Sequence, residues 1–316
     1  MENRAYTYNE FYFDSTVEGQ KIFTRLYEPE NKVKAVLQIV HGMAEHTGLY
    51  DKFCEFLAEN GIVCVLDDHL GHGKSVLKGE DYGSFFGDIE NLVKDEKKLS
   101  SIITNKYPDV PLFIMGHSMG SFIVRDFIVK YPGKAKAAVI MGTSAGMPAA
   151  IWQAEKIVLD SLIKSKGENH KSKFVSDVSL KAYKNAFPEH ESGWVTSLRS
   201  EQEKYSKDPL CSFPLTVGSY KSMGKLLNRI NGKEWFENVP RKMGLLLISG
   251  EKDAVGDMGK GINKIYKKLV FTCHRVKMIL YPELRHALVN EKNTEKTFSD
   301  ILFFLENEIA RNSVKK

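Results

Sequence analysis

Short apolar runs recur along the chain, and turn-forming residues end each of them. Six of these runs lack the alternation of apolar and polar residues that marks a strand with one face in water. We therefore expect strands that are buried on both faces, as in a parallel sheet covered by helices. The predicted strands are residues 35–40, 62–66, 111–115, 137–141, 244–248 and 276–280.

Segments with apolar residues at helical spacing lie between these strands. The predicted helices are residues 50–60, 89–107 and 121–131, and Pro108 and Pro132 end the last two. Strand and helix thus alternate, which predicts an α/β fold with a mostly parallel sheet flanked by helices. Ahead of this pattern, residues 10–15 and 21–27 flank a short turn and predict an antiparallel hairpin.

The alternation stops between residues 147 and 239, where helical patterns dominate. A chain of 316 residues exceeds the usual size of a single core, so we expect one large domain that carries an insertion. The predicted organisation is a core formed by residues 1–146 and 241–316, with a helical cap at 147–240. The first cap helix has a wide apolar face, which either packs on the core or covers a pocket, or does both. The side chains expected to line such a pocket are Ile151, Trp152, Leu159 and Ile163.

Composition narrows the classes of protein that fit. The chain has 45 Lys and Arg residues against 40 Asp and Glu residues, a net charge of +5 that is too weak and too scattered for nucleic-acid binding. No apolar stretch approaches the roughly 20 residues needed to span a bilayer. The first residues lack the pattern of a secretory signal, so we expect a cytoplasmic protein.

Two further groups of residues have simple interpretations. The four cysteines stand far apart with no CxxC pair, which fits neither a zinc site nor a disulfide framework, so we expect free thiols. Six lysines cluster in the cap, at positions Lys164, Lys166, Lys171, Lys173, Lys181 and Lys184. Such a cluster is usually a solvated face, and the alternative is a weak peripheral contact with an anionic lipid surface.

The chemistry of the chain centres on the segment 116–120, Gly-His-Ser-Met-Gly, which matches the GxSxG nucleophile elbow. Residues 142–146 match the same expression around Ser144. Only Ser118 follows a predicted strand and opens a predicted amphipathic helix, which is the context that the elbow requires. We therefore expect Ser118 to be the nucleophile and Ser144 to lie in a turn at a strand end.

A serine nucleophile needs a base, and the base needs an orienting acid. Asp253 and His286 lie just past the ends of two successive predicted strands, in the order Ser, Asp, His. Asp257 or Glu251 could replace Asp253, and His274 is the rival for His286, although it precedes its strand.

An oxyanion hole needs two backbone N–H groups. Met119 follows the nucleophile and supplies the first, and Met43, in the loop after the strand 35–40, supplies the second. His69 and His72 resemble a metal pair only superficially, because no Cys or acidic segment completes the site. We expect them to brace the floor of the site.

Five segments together resemble the monoacylglycerol lipase and lysophospholipase family of serine α/β hydrolases. They are HGMAEHTGLY (41–50), DDHLGHGKS (67–75), GHSMGS (116–121), GEKD (250–253) and RHALVNE (285–291). The resemblance covers most of the chain except the cap. The chain departs from the family pattern at Met43, where small residues are common, and this affects the shape of the acyl pocket.

The resemblance implies an α/β-hydrolase fold with a triad of Ser118, Asp253 and His286 and an oxyanion hole of the Met43 and Met119 amides. It implies hydrolysis of carboxylic esters of single-chain lipids through an acyl-enzyme, with no metal or cofactor. Candidate substrate-binding residues are the four cap side chains named above.

Three alternative functions remain open. The same core supports a short-chain carboxylesterase or a serine aminopeptidase. A peptidase needs cap carboxylates to hold a substrate ammonium, and Glu201 and Glu203 could form such a pair. A non-catalytic binding protein on the hydrolase fold is the remaining alternative.

Overall fold

One eight-stranded sheet organises the chain, and the computed structural model describes residues 5–273 and 275–313. The strands are β1 (Tyr6–Asp14), β2 (Lys21–Pro29), β3 (Ala35–Val40), β4 (Ile62–Asp67), β5 (Leu112–His117), β6 (Ala137–Met141), β7 (Gly244–Gly250) and β8 (Arg275–Tyr281). Their spatial order is β1-β2-β4-β3-β5-β6-β7-β8. The six expected strands and the N-terminal hairpin are confirmed. β2 runs antiparallel to β1 and β4, and the other pairings are parallel.

Ten α-helices accompany these strands within the described residues. They are α1 (Asp51–Glu59), α2 (Glu90–Lys106), α3 (Met119–Lys130), α4 (Ala149–Lys166), α5 (Lys173–Ala186), α6 (Arg199–Lys207), α7 (Val217–Asn231), α8 (Lys233–Asn238), α9 (Lys260–Thr272) and α10 (Thr294–Ser313). The predicted helix at 121–131 begins two residues earlier, because the strand β5 turns directly into α3 through Ser118.

Helices cover both faces of the sheet. In β3, alternate side chains point to opposite faces, so Val36 and Val40 join one core while Leu37 and Ile39 join the other. The first core packs against α2, α3 and α9, and the second packs against α1 and α10. Because β3 to β7 are buried on both faces, their sequences show no alternation of polar and apolar residues.

Helices α4 to α8 lie between β6 and β7, in the region predicted to carry the cap. α4 packs against α7, where the Trp152 ring occupies the space that a side chain at Gly224 would need. The four cysteines are free and buried, as expected. Among the helices described, none combines the length and the apolar character required to cross a bilayer.

Candidate active site

Ser118 lies at a sharp turn between β5 and α3, with backbone angles φ 52° and ψ −122°. A non-glycine residue adopts this conformation only under strain. The flanking glycines make the turn possible. A Cβ atom at Gly116 would overlap the backbone of Gly120, and one at Gly120 would overlap the carbonyls of Val40 and His41. The geometry is therefore that of a nucleophile elbow, with the serine half-buried at the end of strand β5.

Ser144 has a different environment. Its Oγ accepts a hydrogen bond from Gly146 N at 3.1 Å, and its carbonyl accepts one from Arg125 Nη1 at 3.1 Å. The residue lies in an irregular segment between β6 and α4, with no strand-to-helix elbow. This placement agrees with the turn expected from the sequence.

Asp253 and His286 meet in a buried pair. His286 Nδ1 lies 2.9 Å from Asp253 Oδ1, and both side chains are almost fully buried. The other carboxylate oxygen accepts a hydrogen bond from Ser249 Oγ at 3.0 Å. Burial alone would raise the pKa of the Asp253 carboxyl, but His286 and the hydrogen bonds lower it below its ordinary value.

The alternative candidates for the acid and the base do not form such a pair in the described structure. Glu251 and Asp257 are exposed, and His274 falls outside the described residues. The end of β6 lies against both the nucleophile and the imidazole. Ser118 N donates to Met141 O at 3.0 Å, and a Cβ at the next residue, Gly142, would lie 3.0 Å from His286 Cε1. His286 Nε2 is buried and has no hydrogen-bond partner in the part of the chain that the structure describes.

Met43 and Met119 both lie beside Ser118 on the wall of the same pocket. The loop that carries Met43 approaches the nucleophile closely, since a Cβ at Gly42 would lie 3.0 Å from Ser118 Cβ. The backbone amide of Gly42 already donates a hydrogen bond to Glu45 Oε1, at 2.5 Å. The positions suit two amides that face a common oxyanion.

Sequence reasoning missed the buried network that holds this loop. Glu45 Oε1 also accepts from Tyr50 OH at 2.7 Å and lies 3.1 Å from His117 Nδ1. Burial opposes its ionisation, but His117 and the hydrogen bonds lower the pKa of Glu45 to about 2. The sequence signal for this network is the segment 41–50, which contains both Glu45 and Tyr50.

His69 and His72 pack in a buried group of rings around His41. The His41 and His69 rings stack at 3.8 Å, and His72 Nε2 accepts a hydrogen bond from Ala44 N at 3.1 Å. Burial, with the neighbouring His69, lowers the pKa of His72 to about 3. The bond to Ala44 supports the expected bracing role.

Two acidic side chains that sequence reasoning did not connect with His69 lie beside it, although His72 is not part of this group. His69 Nδ1 lies 3.3 Å from Asp67 Oδ2 and 3.4 Å from Glu96 Oε1, because α2 brings Glu96 under the loop. These three residues are one of two groups in the described structure with metal-ligand character. The second group is His46, Asp208 and Cys211, in which His46 Nε2 already bonds Asp208 at 3.0 Å.

A pocket of about 340 Å³ opens beside Ser118, within the usual range for ligand sites. Its walls are mostly apolar side chains from α3, α4, α5 and α7. Leu159 lines it, as expected. The other three candidates on α4 do not: Ile151 points to solvent, and Trp152 and Ile163 pack into the protein. The prediction for these three residues was wrong because a different part of the α4 surface faces the pocket. The α4 residues that line it are Ala154, Glu155, Val158 and Leu159.

The carboxylate in this pocket is Glu155. Glu201 and Glu203 lie on α6 outside the pocket wall and pair with Lys204 and Arg199. Burial raises the pKa of Glu155. Sequence reasoning missed this residue because a single glutamate on an otherwise apolar helix face looks like a surface position.

A family model described as serine aminopeptidase, S33, matches residues 31–293. The chain belongs to this family. This S33 chain is similar to curated proteins named as lipases. It is 36% identical over 106 residues to the monoglyceride lipase of Mus musculus, covering 34% of each chain. It is 32% identical over 126 residues to the monoacylglycerol lipase of Mycolicibacterium smegmatis, covering 40% of this chain and 44% of that protein. The matches thus span less than half of these relatives.

Solved structures extend the likeness over nearly the whole S33 chain. A thermostable carboxyl esterase from Bacillus coagulans in complex with glycerol superposes with a TM-score of 0.90 at 28% identity, covering 96% of this chain and 99% of that one. A soluble variant of monoglyceride lipase from Saccharomyces cerevisiae has a TM-score of 0.75 at 17% identity, covering 94% of each chain, and shows the fold alone. The α/β-hydrolase fold expected from the sequence is confirmed.

Proposed function

We propose that this chain is a serine hydrolase that cleaves carboxylic esters of single-chain lipids, of the monoacylglycerol lipase or lysophospholipase type. One observation carries the proposal: the Ser118 elbow opens into a mostly apolar pocket next to the buried Asp253–His286 pair. The monoglyceride lipases among its relatives support the same substrate class.

The positions of these groups support the following reaction. His286 takes the proton of Ser118 as its Oγ attacks the ester carbonyl, and Asp253 holds His286 in the required tautomer. The Met43 and Met119 amides bind the oxyanion. His286 then protonates the leaving alcohol, and water releases the fatty acid from the acyl-enzyme by the same route.

The decisive experiment compares glycerol monoesters of increasing chain length. Each methylene that enters the pocket contributes about 0.8 kcal/mol, so lengthening the chain from four to ten carbons adds up to about 5 kcal/mol. Ordering of the chain offsets part of this gain. We expect kcat/KM to rise at least about tenfold from C4 to C10 below the micelle concentration, and diacyl esters to be poorer substrates.

Two substitutions on α4 make this test specific. Leu159→Asp places a charge in the pocket wall and should flatten the rise with chain length. Ile151→Asp changes an exposed side chain of the same helix and should leave the rise intact. A flat profile in the unsubstituted protein would instead favour a short-chain carboxylesterase.

A serine aminopeptidase is the second candidate, favoured by the family description and by Glu155 in the pocket. A carboxylate there would bind the ammonium group of an aminoacyl substrate. Turnover of aminoacyl amides above that of decanoyl esters, with loss in Glu155→Gln, would favour the peptidase. Faster ester turnover with little effect of Glu155→Gln would favour the lipase.

We also propose that residues 147–240 form a cap over the core segments 1–146 and 241–316, and that this cap touches lipid surfaces. Exposed Val158, Phe174 and Val178 line the pocket, and exposed Ile157 lies on the same helix as Val158. Lysines on α4 and α5 add positive charge to the same two helices, which suits anionic lipid.

Vesicle flotation tests this contact. Binding should be stronger to vesicles with anionic lipid than to neutral vesicles, and Ile157→Ser should weaken it. Phe271→Ser on α9 removes an even more exposed apolar side chain outside the cap and serves as the control. Equal binding by all three proteins would contradict the proposal.

A further inference from the structure

Arg125 is a fully buried cation on the nucleophile helix, α3. Within the described residues it forms no ion pair with a carboxylate. Its guanidinium instead bonds backbone and neutral side-chain oxygens from two other segments. On one side, it donates to Ser144 O at 3.1 Å and to Thr143 Oγ1 at 3.4 Å. On the other side, it donates to Ile230 O and, at 3.0 Å, to Asn231 Oδ1.

Stability alone does not account for this residue. Burial lowers the pKa of Arg125 to about 9, which shows how unfavourable the site is for a charge. The Trp235 ring, 4.5 Å from the guanidinium, offsets part of this penalty. Even a buried ion pair can often be replaced by apolar side chains without loss of stability, so a buried charge without a carboxylate partner is not evidence of a stabilising role. The geometry of the contacts is therefore the more informative feature.

The segment that Arg125 holds on its first side reaches the catalytic groups. It runs from Gly142 to Gly146. Gly142 lies against the His286 imidazole, and Ser144 lines the pocket. A shift of this segment would change the distance between His286 and Ser118 and also the shape of the pocket wall.

On its second side, Arg125 holds the C-terminal end of α7. This helix supplies Met223, Gly224 and Leu227 to the pocket wall. Its last carbonyls have no partner within the helix, and a cation is favourable there because the helix dipole places negative charge at that end. The planar guanidinium can bond both segments at once, because its donors point in fixed, diverging directions.

We infer that Arg125 is a positioning residue for the proposed ester hydrolysis. It fixes the 142–146 segment and the end of α7 to the nucleophile helix, so that His286 and the acyl pocket keep their places relative to Ser118. The inference rests on the proposed function for its effect on turnover. Its structural part, the restraint of residues 142–146, can be measured independently.

The main test is Arg125→Lys, which retains the charge but has a single terminal nitrogen that cannot bond both segments in the same geometry. We expect kcat/KM for a decanoyl monoester to fall at least about tenfold, with the C10 to C4 preference reduced. Labelling of Ser118 by a fluorophosphonate should slow in parallel. Amide hydrogen exchange at residues 142–146 should accelerate.

Arg229→Lys is the matched control. Arg229 also joins α7 to α3, through bonds to Asp126 at 3.0 and 2.8 Å, but it is half-exposed, and among the described residues its side chain has no hydrogen bond to 142–146. The Arg229→Lys substitution should lower the thermal stability slightly and leave kcat/KM and amide exchange at residues 142–146 unchanged. If Arg125→Lys does not fold, Thr143→Val keeps the shape of the side chain, removes its bond to the guanidinium and should raise the same exchange more modestly.

The outcomes separate the two proposals. A parent protein that neither hydrolyses esters nor reacts with the fluorophosphonate contradicts the proposed function, while the exchange measurement still decides the restraint by Arg125. Faster exchange together with slower labelling supports the positioning role. Unchanged exchange and turnover in Arg125→Lys or, failing that, in Thr143→Val would overturn it.

Discussion

The contact between Gly142 and His286 gives a quantitative prediction for Gly142→Ala. The new methyl carbon would lie 3.0 Å from His286 Cε1 and 3.1 Å from Nδ1, the atom that bonds Asp253. Since carbon atoms normally approach to about 3.5 Å, the ring must move by about 0.5 Å. A displacement of about 1 Å in an active site costs about 10²-fold, so we expect kcat to fall about tenfold.

Backbone strain adds a separate effect on stability. Gly142 has φ 59°, where alanine costs about 1–2 kcal/mol, so the melting temperature should fall by about 2–6 °C. Gly133→Ala is the matched control, because Gly133 has φ 83° and a Cβ there would meet nothing within 4 Å. It should lose stability and keep kcat. The assay is hydrolysis of a p-nitrophenyl ester at 15 °C, with melting curves for both variants. Equal kcat in the two variants would refute the reasoning.

Three further predictions concern the same site. Ser118→Ala should lower kcat by about 10⁴ to 10⁶ and abolish fluorophosphonate labelling, whereas Ser144→Ala should stay within about tenfold; the reverse result would move the nucleophile. Asp253→Asn should lower ester turnover about 10⁴-fold, while the exposed Asp257→Asn should change it little. Because the pKa of Glu45 is lowered from 4.5 to about 2, its contribution to stability is fully present above pH 4.5 and is lost progressively as the pH falls from 4.5 to about 2. In urea titrations, the free energy of unfolding should therefore fall less between pH 5 and pH 3 for Glu45→Gln than for the unsubstituted protein. Equal falls in the two proteins would count against this network.

Much of the fold could be predicted from the sequence because local patterns determine it. The strands β3 to β7 lie in the middle of a doubly covered sheet, so their sequences are continuous apolar runs. The elbow was also predictable. Only glycine fits at positions 116 and 120, where backbone atoms approach closely, and this requirement is visible as a short motif.

Other features depend on contacts between distant segments and leave no local pattern. Arg125 lies in an amphipathic helix where an arginine normally indicates a solvent-facing position, and its partners follow more than 15 residues later. Glu96 meets His69 only because α2 packs beneath the loop after β4. The apolar arc of α4 was likewise visible, but its rotation about the helix axis is set by packing of Trp152 against α7.

The position of the helical region between β6 and β7 has a consequence for folding. These two strands are neighbours in the sheet, with Met141 opposite Ile248, yet about a hundred residues separate them along the chain. Closing a connection of that length, compared with one of about ten residues, costs about 2 kcal/mol more in chain entropy. Strands β3 to β6 and the Ser118 turn can therefore form before β7 and β8 dock. Asp253 and His286 arrive with those last strands, so recovery of ester turnover should lag behind recovery of secondary structure during refolding.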